Sequence, residues 1–399
     1  MDLIIIGAGP AGLAASIAAA KNGLRVLIVD EFMKPGGRLL GQLHEEKKNV
    51  WWNGIEEAHA LHKEAISLGV EIRLQTSVYH LEKQSLSWCV HTTKGTSSSK
   101  ALLLATGAIE KSFPIPGWTL PGVMSIGAAQ VMTNVHHVKP GHKGVIIGIN
   151  ALSFAIAREL ILCGVDIVGF YLPPANLFTK NDAQPSDVFK QMLRLAHLAP
   201  SPFFKIGGAL ARKSTFIQKQ SLRYYPKNGF QVWGVPIHLK KAVTDIIGDS
   251  TVTAVSTASL TEEGEIIPGS ETGQQVDFVA IAGGLTPLTE LIGLTACPLR
   301  EIASLGGAVP EHAEDMTTPV PDLYVAGNIT GIESAKVAKA QGHVAGLSVA
   351  RHSFKKYVCT ALQQAMAQVQ TTRGQALLQF HPNVKDGRQQ LYKLACEQT

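Results

Sequence analysis

Apolar residues fall along this chain in short unbroken runs, divided by glycine-punctuated turns and by stretches of helical spacing. That pattern belongs to parallel strands buried on both faces and joined by helices. Leu3–Ile6 is the first run, the Ala-rich segment Ala11–Asn22 reads as a helix ended by Gly23, and Leu24–Val29 is a second buried run closing on Asp30. Together they make a βαβ unit of about 30 residues. Ile55–Gly69 has helical spacing, Val70–Thr76 and Lys100–Ala105 read as strands, and Val78–Lys94 alternates as a small antiparallel piece around Trp88 and Val90.

Pro114, Pro116, Pro121 and Gly122 mark a crossover. Beyond it, Lys143–Ile147, Ala151–Cys163 and Val165–Tyr171 repeat strand, helix, strand, an internal duplication spaced by about 140 residues. A helix is expected over Val188–His197, and strands over Val252–Ser259, Val276–Ala282 and Asp322–Ala326. Glu333–Ala350 reads as a helix, and the Gln- and Lys-rich stretch after Arg351 as a helical appendage.

Composition narrows the class. The chain has 399 residues, enough for two or three domains. Its charge of +5 arises from scattered residues without a Lys/Arg block, so no nucleic-acid footprint is expected. The five cysteines are widely separated and form no C-x-x-C, which fits a reduced cytoplasmic setting. Leu3–Ala20 carries no charge, yet Gly7, Gly9, Pro10 and Gly12 break it into strand, turn and helix, and Asp2 has the wrong sign for a leader. No transmembrane segment is expected.

The first turn, Gly7-Ala8-Gly9-Pro10-Ala11-Gly12, carries the main chemistry. Gly7 allows a tight turn, Gly9 lets backbone approach a pyrophosphate, and Gly12 lets the helix pack close to the strand. Pro10 and Ala11 open the helix, whose unpaired N–H groups face the phosphates. Asp30 follows Gly12 by 18 residues, where its carboxylate can accept from a ribose diol; Glu31 is the weaker candidate.

The second turn, Gly148-Ile149-Asn150-Ala151-Leu152-Ser153, has Asn150 and Ser153 where a nicotinamide site wants glycine. Tyr171 stands near the ribose-reading position, with neither an acid nor an arginine cluster. Tight NAD(P)H binding is therefore expected to be lost, leaving a different nucleotide or an empty structural domain.

Ala105-Thr106-Gly107 and Tyr324-Val325-Ala326-Gly327-Asn328, with the first turn, resemble the glutathione-reductase-type FAD domain. The resemblance implies an α/β fold of two dinucleotide-binding (Rossmann-like) domains. The FAD domain would be discontinuous over 1–115 and 275–350, the NAD-like domain would span 116–274, and a helical segment would fill 351–399. In that superfamily the late motif ends in Gly-Asp; Asn328 keeps a carbonyl acceptor without the charge. The helix beginning near Ile332–Glu333 would point its N-terminus at the flavin pyrimidine edge. Gly36-Gly37-Arg38 and Gly41-Gln42 would run past the ring, and Val78 completes the candidate FAD contacts.

Across nearly its whole length the chain also resembles the pyridine-nucleotide-disulfide-oxidoreductase-like subunits of heteromeric amine and imino-acid dehydrogenases. Such subunits occur in hydrogen cyanide synthase and opine oxidase, and as the alpha subunits of proline or hydroxyproline dehydrogenases. The residues that carry this are Ala105–Glu110, Pro116–Met124, Gly127–Gln130, Asp277, Gly283–Pro287 and Gly331–Gly346. The resemblance implies an electron-transferring FAD subunit with two partners, an amino-acid-oxidase-like flavoprotein and a small ferredoxin-like iron–sulfur protein. Its complex would be cytoplasmic or peripheral to the inner membrane. Only Cys359 and Cys396 lie in the tail, so a [2Fe–2S] cluster would sit mostly or wholly on a partner chain.

Other candidates reduce to packing. His136-His137 would share an ion poorly if helical, and Trp51-Trp52, which could shield the flavin or fill an interface, fits packing better. No acid–base catalyst and no metal site is named. A self-sufficient NAD(P)H-dependent flavin reductase and a non-catalytic nucleotide-binding scaffold stand as rivals to the dehydrogenase subunit.

Overall fold

Leu3–Ile6 forms strand β1, buried on both faces because it lies in the middle of a parallel sheet. The computed structural model describes residues 1–47, 49–196, 207–208, 211–212, 214–376, 380–381 and 383–396. Two units emerge: Met1–Ile109 with Leu285–Thr399, and Glu110–Gly284.

The first unit opens with β1, α1 (Pro10–Lys21), β2 (Val26–Val29), a hairpin of β3 (Leu43–Lys47) and β4 (Val50–Asn53), and α2 (Gly54–Ser67). Next come β5 (Glu71–Arg73), the antiparallel trio β6 (Val78–Lys83), β7 (Trp88–Thr92) and β8 (Gly95–Ser99), and β9 (Ala101–Leu104). The trio is the expected antiparallel piece, and it buries Leu81, Trp88 and Val90 in the core of this unit.

The second unit contains β10 (Val123–Ser125), α3 (Ile126–Asn134), β11 (Lys143–Ile147), α4 (Ala151–Leu162), β12 (Asp166–Leu172), α5 (Pro185–Leu195) and α6 (Thr215–Arg223). It continues with β13 (Val235–Gly248), β14 (Val252–Ser259), β15 (Thr272–Gln275) and β16 (Phe278–Ile281). Its sheet runs β10-β16-β11-β12-β13-β14-β15, parallel through β13 and antiparallel beyond. The helix expected over Val188–His197 is α5; His197 lies outside the described residues.

The chain then returns to the first unit as β17 (Leu323–Val325), α7 (Ala335–His352), α8 (Cys359–Gly374) and α9 (Val384–Cys396). The first sheet has the order β17-β9-β1-β2-β5, all parallel. Ile6 is paired with Leu104, and Leu104 with Val325, so three strands distant in sequence end level with one another. The expected helical C-terminal segment is present as α8 and α9. Val384 and Leu391 share a buried cluster with Ile302, Leu305 and Val309, because an amphipathic tail lowers its free energy by burying its apolar stripe.

Helices α1 and α7 approach at backbone distance. A Cβ on Gly342 would stand 2.0 Å from the Ala11 carbonyl oxygen, and one on Gly346 2.3 Å from that of Ala15. Gly342→Ala is therefore expected to lower stability by about 1–3 kcal/mol, since backbone cannot step aside. Gly374→Ala, with nothing within 4 Å, should be neutral to slightly stabilising. Urea unfolding midpoints of the two variants check both.

Candidate functional site

Because β1, β9 and β17 are adjacent and parallel, their C-terminal ends deliver Gly7, Ala105–Gly107 and Gly327 to one edge of the sheet. Gly7 has φ +108°, and a Cβ there would lie 2.4 Å from the Ala105 carbonyl oxygen. A Cβ on Gly12 would lie 1.9 Å from the Gly7 carbonyl oxygen. The fold itself demands these two glycines. Gly9 differs, since a Cβ there meets nothing within 4 Å and its φ of −75° suits any residue. It caps α1 with no side-chain hydrogen bond, and Pro10 follows at the first helical turn. The positive end of α1 thus faces open space, the arrangement that receives a phosphate.

Asp30 lies beside this turn. Its Oδ2 accepts from the Ala8 N–H and its Oδ1 from the Phe32 N–H at 2.7 Å. Burial raises its pKa, opposed by those two N–H groups. Each oxygen retains acceptor capacity that a ribose diol can use. Glu31 is exposed. The Gly36 N–H donates to the Ala8 carbonyl, and a Cβ on Gly37 would come within 3.0 Å of the Gly9 Cα, so the 36–42 segment passes closely over the turn. Arg38 donates to the Ala108 carbonyl at 2.9 Å. Gln42 is half-buried, and its carbonyl accepts from the Gly54 N–H. Val78 is half-buried against the core.

Thr106 donates from Oγ1 to the Leu288 carbonyl at 2.7 Å, and Gly107 has φ +81°. Gly327 has φ +82°, and its N–H donates to Gln341 Oε1 at 3.1 Å. That bond orients Gln341, which is wholly buried and whose Nε2 has no protein partner. A buried, unmatched donor behind the turn fits an oxygen-rich ligand. Gln341 escapes sequence reasoning because a single amide on an Ala/Gly-rich helix carries no motif. Asn328 uses its Oδ1 to accept from the Glu333 N–H at 3.2 Å.

Glu333 behaves differently from expectation. The helix begins at Ala335 with Ser334 as its cap, and the Glu333 carboxylate is held by two buried arginines. Arg373 donates from Nε to Oε1 at 2.5 Å, and Arg388 from Nη2 to Oε2 at 2.6 Å. Arg388 also donates to the Thr330 carbonyl at 2.6 Å and lies 3.4 Å from His312 Nε2. Burial, with Arg388 adding to it, drives the His312 pKa down to about 3. Neutral His312 therefore donates from Nδ1 to the Pro310 carbonyl and offers Nε2 to Arg388. Burial alone would raise the Glu333 pKa, but Arg388 and Arg373 outweigh it and hold it below 4.5. Beside this cluster a cavity of about 310 Å³ is lined by Ile332, Glu333, Ser334, Arg373 and Lys385. Ile332 itself is buried, its N–H donating to the Leu305 carbonyl.

The second turn is closed by its own side chains. Gly148 repeats Gly7, with φ +108° and an implied Cβ 2.2 Å from the Ala282 carbonyl oxygen. Asn150, however, accepts from the Ser153 N–H at 3.0 Å, and Ser153 Oγ accepts from the Asn150 N–H at 2.9 Å. This capping box occupies donors that a pyrophosphate would need. Asn150 Nδ2 also donates to the Ala282 carbonyl at 2.7 Å. Tyr171 stacks on His238 at 4.7 Å where a ribose acid would stand.

The crossover residues fasten helices. Glu110 accepts from the Gly127 N–H at 2.8 Å, while Gln130 and Asn134 donate to the buried carboxylate of Glu159. His136 and His137 lie beyond the end of α3 and are exposed. Trp51 is exposed, and Trp52 packs under Lys336, with Nζ 4.6 Å from the ring. Cys89, Cys163, Cys297 and Cys359 are free thiols. Among the described residues no helix is long and apolar enough to cross a membrane.

Paired βαβ units and a glycine turn at the end of β1 define a two-domain dinucleotide-binding oxidoreductase fold. Residues 1–188 match the pyridine nucleotide-disulphide oxidoreductase model. The A component of opine oxidase from Agrobacterium tumefaciens is 27% identical over 365 residues, 87% of this chain and 65% of the relative. The HcnB component of hydrogen cyanide synthase from Pseudomonas aeruginosa is 28% identical over 357 residues, 87% of this chain and 70% of the relative. L-proline dehydrogenase from P. horikoshii shares the fold, with a TM-score of 0.65 at 18% identity over 92% of this chain and 58% of that one. This chain thus spans about two thirds of the length of the curated relatives it matches. The matching family model and these relatives support an FAD-dependent oxidoreductase.

Two of these interactions can be tested by substitution. Asn150→Ala should cost about 1–2 kcal/mol by removing the cap, read as a lower urea midpoint. Glu333→Gln should cost about 3–5 kcal/mol, because two buried guanidinium groups lose their counter-charge. A carboxylate with a depressed folded pKa contributes stability above its unfolded pKa and loses it as pH falls through the folded value. Wild-type stability should therefore fall below about pH 4.5, and unfolding of the Gln variant across that window should lack this component.

Proposed function

We propose that the chain binds FAD on the Gly7–Gly12 turn and passes electrons within a heteromeric dehydrogenase that oxidises an amino or imino acid, of the proline or hydroxyproline class. The observation that carries this reading is the contrast between two helix N-termini. The first, at Gly9, is uncapped and open; the second, at Asn150, is closed by its own box. One nucleotide position is therefore kept available while the position for a hydride donor is filled.

FAD, when bound, supplies the one- and two-electron chemistry. The chain's residues do the holding. Gly9, Pro10 and Ala11 present the α1 N-terminus to the pyrophosphate, and Asp30 accepts from the ribose. Gly37, Arg38 and Gln42 run beside the ring, with Val78, Ala105, Thr106 and Gly107. Gly327, Asn328 and Gln341 face the ribityl chain, and the Ile332–Glu333 corner leads to the start of α7. The arginine cluster leaves one net positive charge there, one carboxylate against two guanidinium groups, which favours the extra negative charge of reduced flavin.

Substrate class and partners rest on the relatives, whose names denote components of an opine oxidase and a hydrogen cyanide synthase, and on the fold shared with a proline dehydrogenase. The partners would be an amino-acid-oxidase-like flavoprotein and a ferredoxin-like protein carrying the iron–sulfur centre. The capping box counts against a stand-alone NAD(P)H reductase, and the match of residues 1–188 to an oxidoreductase family model against a scaffold.

Gly9→Asp separates binding from folding. Aspartate is a good helix cap, so the apo chain should be as stable as wild type or more so by up to about a few tenths of a kcal/mol. Its charge at the phosphate position should nevertheless leave the purified protein colourless; full yellow loading would sink the site. Anaerobic titration of the FAD-loaded wild type should show no bleaching by NADH or NADPH. Bleaching should require the partner dehydrogenase and its substrate.

A further inference from the structure

We propose that Glu82, Cys89 and His91 form a binding site for a divalent cation of the zinc class, on the face of the β6–β7–β8 sheet opposite its core face. The strand register creates the site. Glu82 is paired with Cys89, and His80 with His91, so all four side chains project from one face, while Leu81, Trp88 and Val90 project from the other into the core. The pairing is regular from His80 to Lys83, and its irregularity falls outside the site, between Val78 and His80.

The ligand atoms of Glu82, Cys89 and His91 all lie within 4.8 Å of one another. They do not satisfy each other. His91 Nε2 and Glu82 Oε2 are 3.8 Å apart, an ionic approach too long for a hydrogen bond. His91 Nε2 is a buried atom with no hydrogen-bond partner. On the far side of the ring, His91 Nδ1 meets Thr96 Oγ1 at 3.3 Å. When Nδ1–H donates to that hydroxyl, the Nε2 lone pair is turned towards the thiol and the carboxylate.

Cys89 is buried and free. One nitrogen, one sulfur and one oxygen converging at these separations suit a borderline-soft cation that takes tetrahedral geometry. The separations must close by about 1 Å for tetrahedral coordination, which side-chain rotation supplies. His80, exposed and with its ring 5.4 Å from that of His91, or a water molecule would complete the shell. Binding displaces the Cys89 thiol proton to solvent and forms the metal–sulfur, metal–nitrogen and metal–oxygen bonds, with no change of oxidation state. The cation would staple β6 to β7 and so hold the Trp88 side of the sheet in the core.

The test uses the full chain, stripped with chelator and titrated with Co²⁺, recorded as difference spectra. One equivalent should bind, with a thiolate-to-cobalt band in the near ultraviolet and the intense red absorption of tetrahedral cobalt. Cys89→Ser should abolish the near-ultraviolet band, the exposed Glu82→Gln should weaken binding at least about tenfold, and Thr96→Val about tenfold through the ring orientation. Zinc should raise the thermal midpoint of wild type and not of His91→Gln. Wild type without a thiolate band at one equivalent, or a band that persists in Cys89→Ser, overturns the proposal. The wild-type spectrum decides even where a variant fails to fold.

Discussion

Everything at the candidate site depends on the level ending of three parallel strands. Ile6, Leu104 and Val325 lie in one row of the sheet, so the backbone leaves the sheet at the same height three times. Each exit needs backbone that a side chain would obstruct or that an L-residue resists. Gly7 is squeezed against Ala105, and Gly327 is turned at positive φ against Ala11. The tight seat of α7 on α1, carbonyl oxygen against glycine, then fixes where the start of α7 points. Displacing that helix would move Gln341, and with it the buried amide that holds the Gly327 turn.

Electrostatics distinguishes the two units more sharply than shape does. Both contain a strand, a glycine at φ +108° and a helix, so both could direct a helix dipole at a phosphate. In the second unit the helix N-terminus meets the Asn150 side-chain oxygen Oδ1 and the Ser153 hydroxyl, which accept from its N–H groups locally. Nearby, His238 is pushed down to about 4 by burial and stays neutral under the Tyr171 ring. That corner stacks two aromatic rings where a ribose would require an acid.

Much of this was legible in the sequence because it follows from local rules. The βαβ periodicity, the punctuation at Gly7–Gly12 and the misfit of Asn150 and Ser153 all depend on neighbours within a few residues. Other determinants were distant and left no local trace. The partners of Glu333 are 40 and 55 residues further on, in a tail whose Gln/Lys-rich composition suggested only a helical appendage. Buried charge draws such residues together, since an isolated carboxylate at that depth would be intolerable. The convergence of Glu82 with Cys89 and His91 was hidden for another reason: it depends on strand register, and a slip of one residue would send the two strands' side chains to opposite faces.

The Glu333 cluster also bears on why the tail is retained in the fold. Ion pairs this deep contribute little net stability once desolvation is counted, so cohesion alone does not explain two arginines on one carboxylate. The arrangement does something a hydrophobic replacement could not. It leaves one positive charge in excess next to the start of α7, in surroundings where screening is weak. Asn328, lacking the charge of an aspartate, adds no negative field to oppose it. A corner with this excess of positive charge is biased towards holding an anionic ligand.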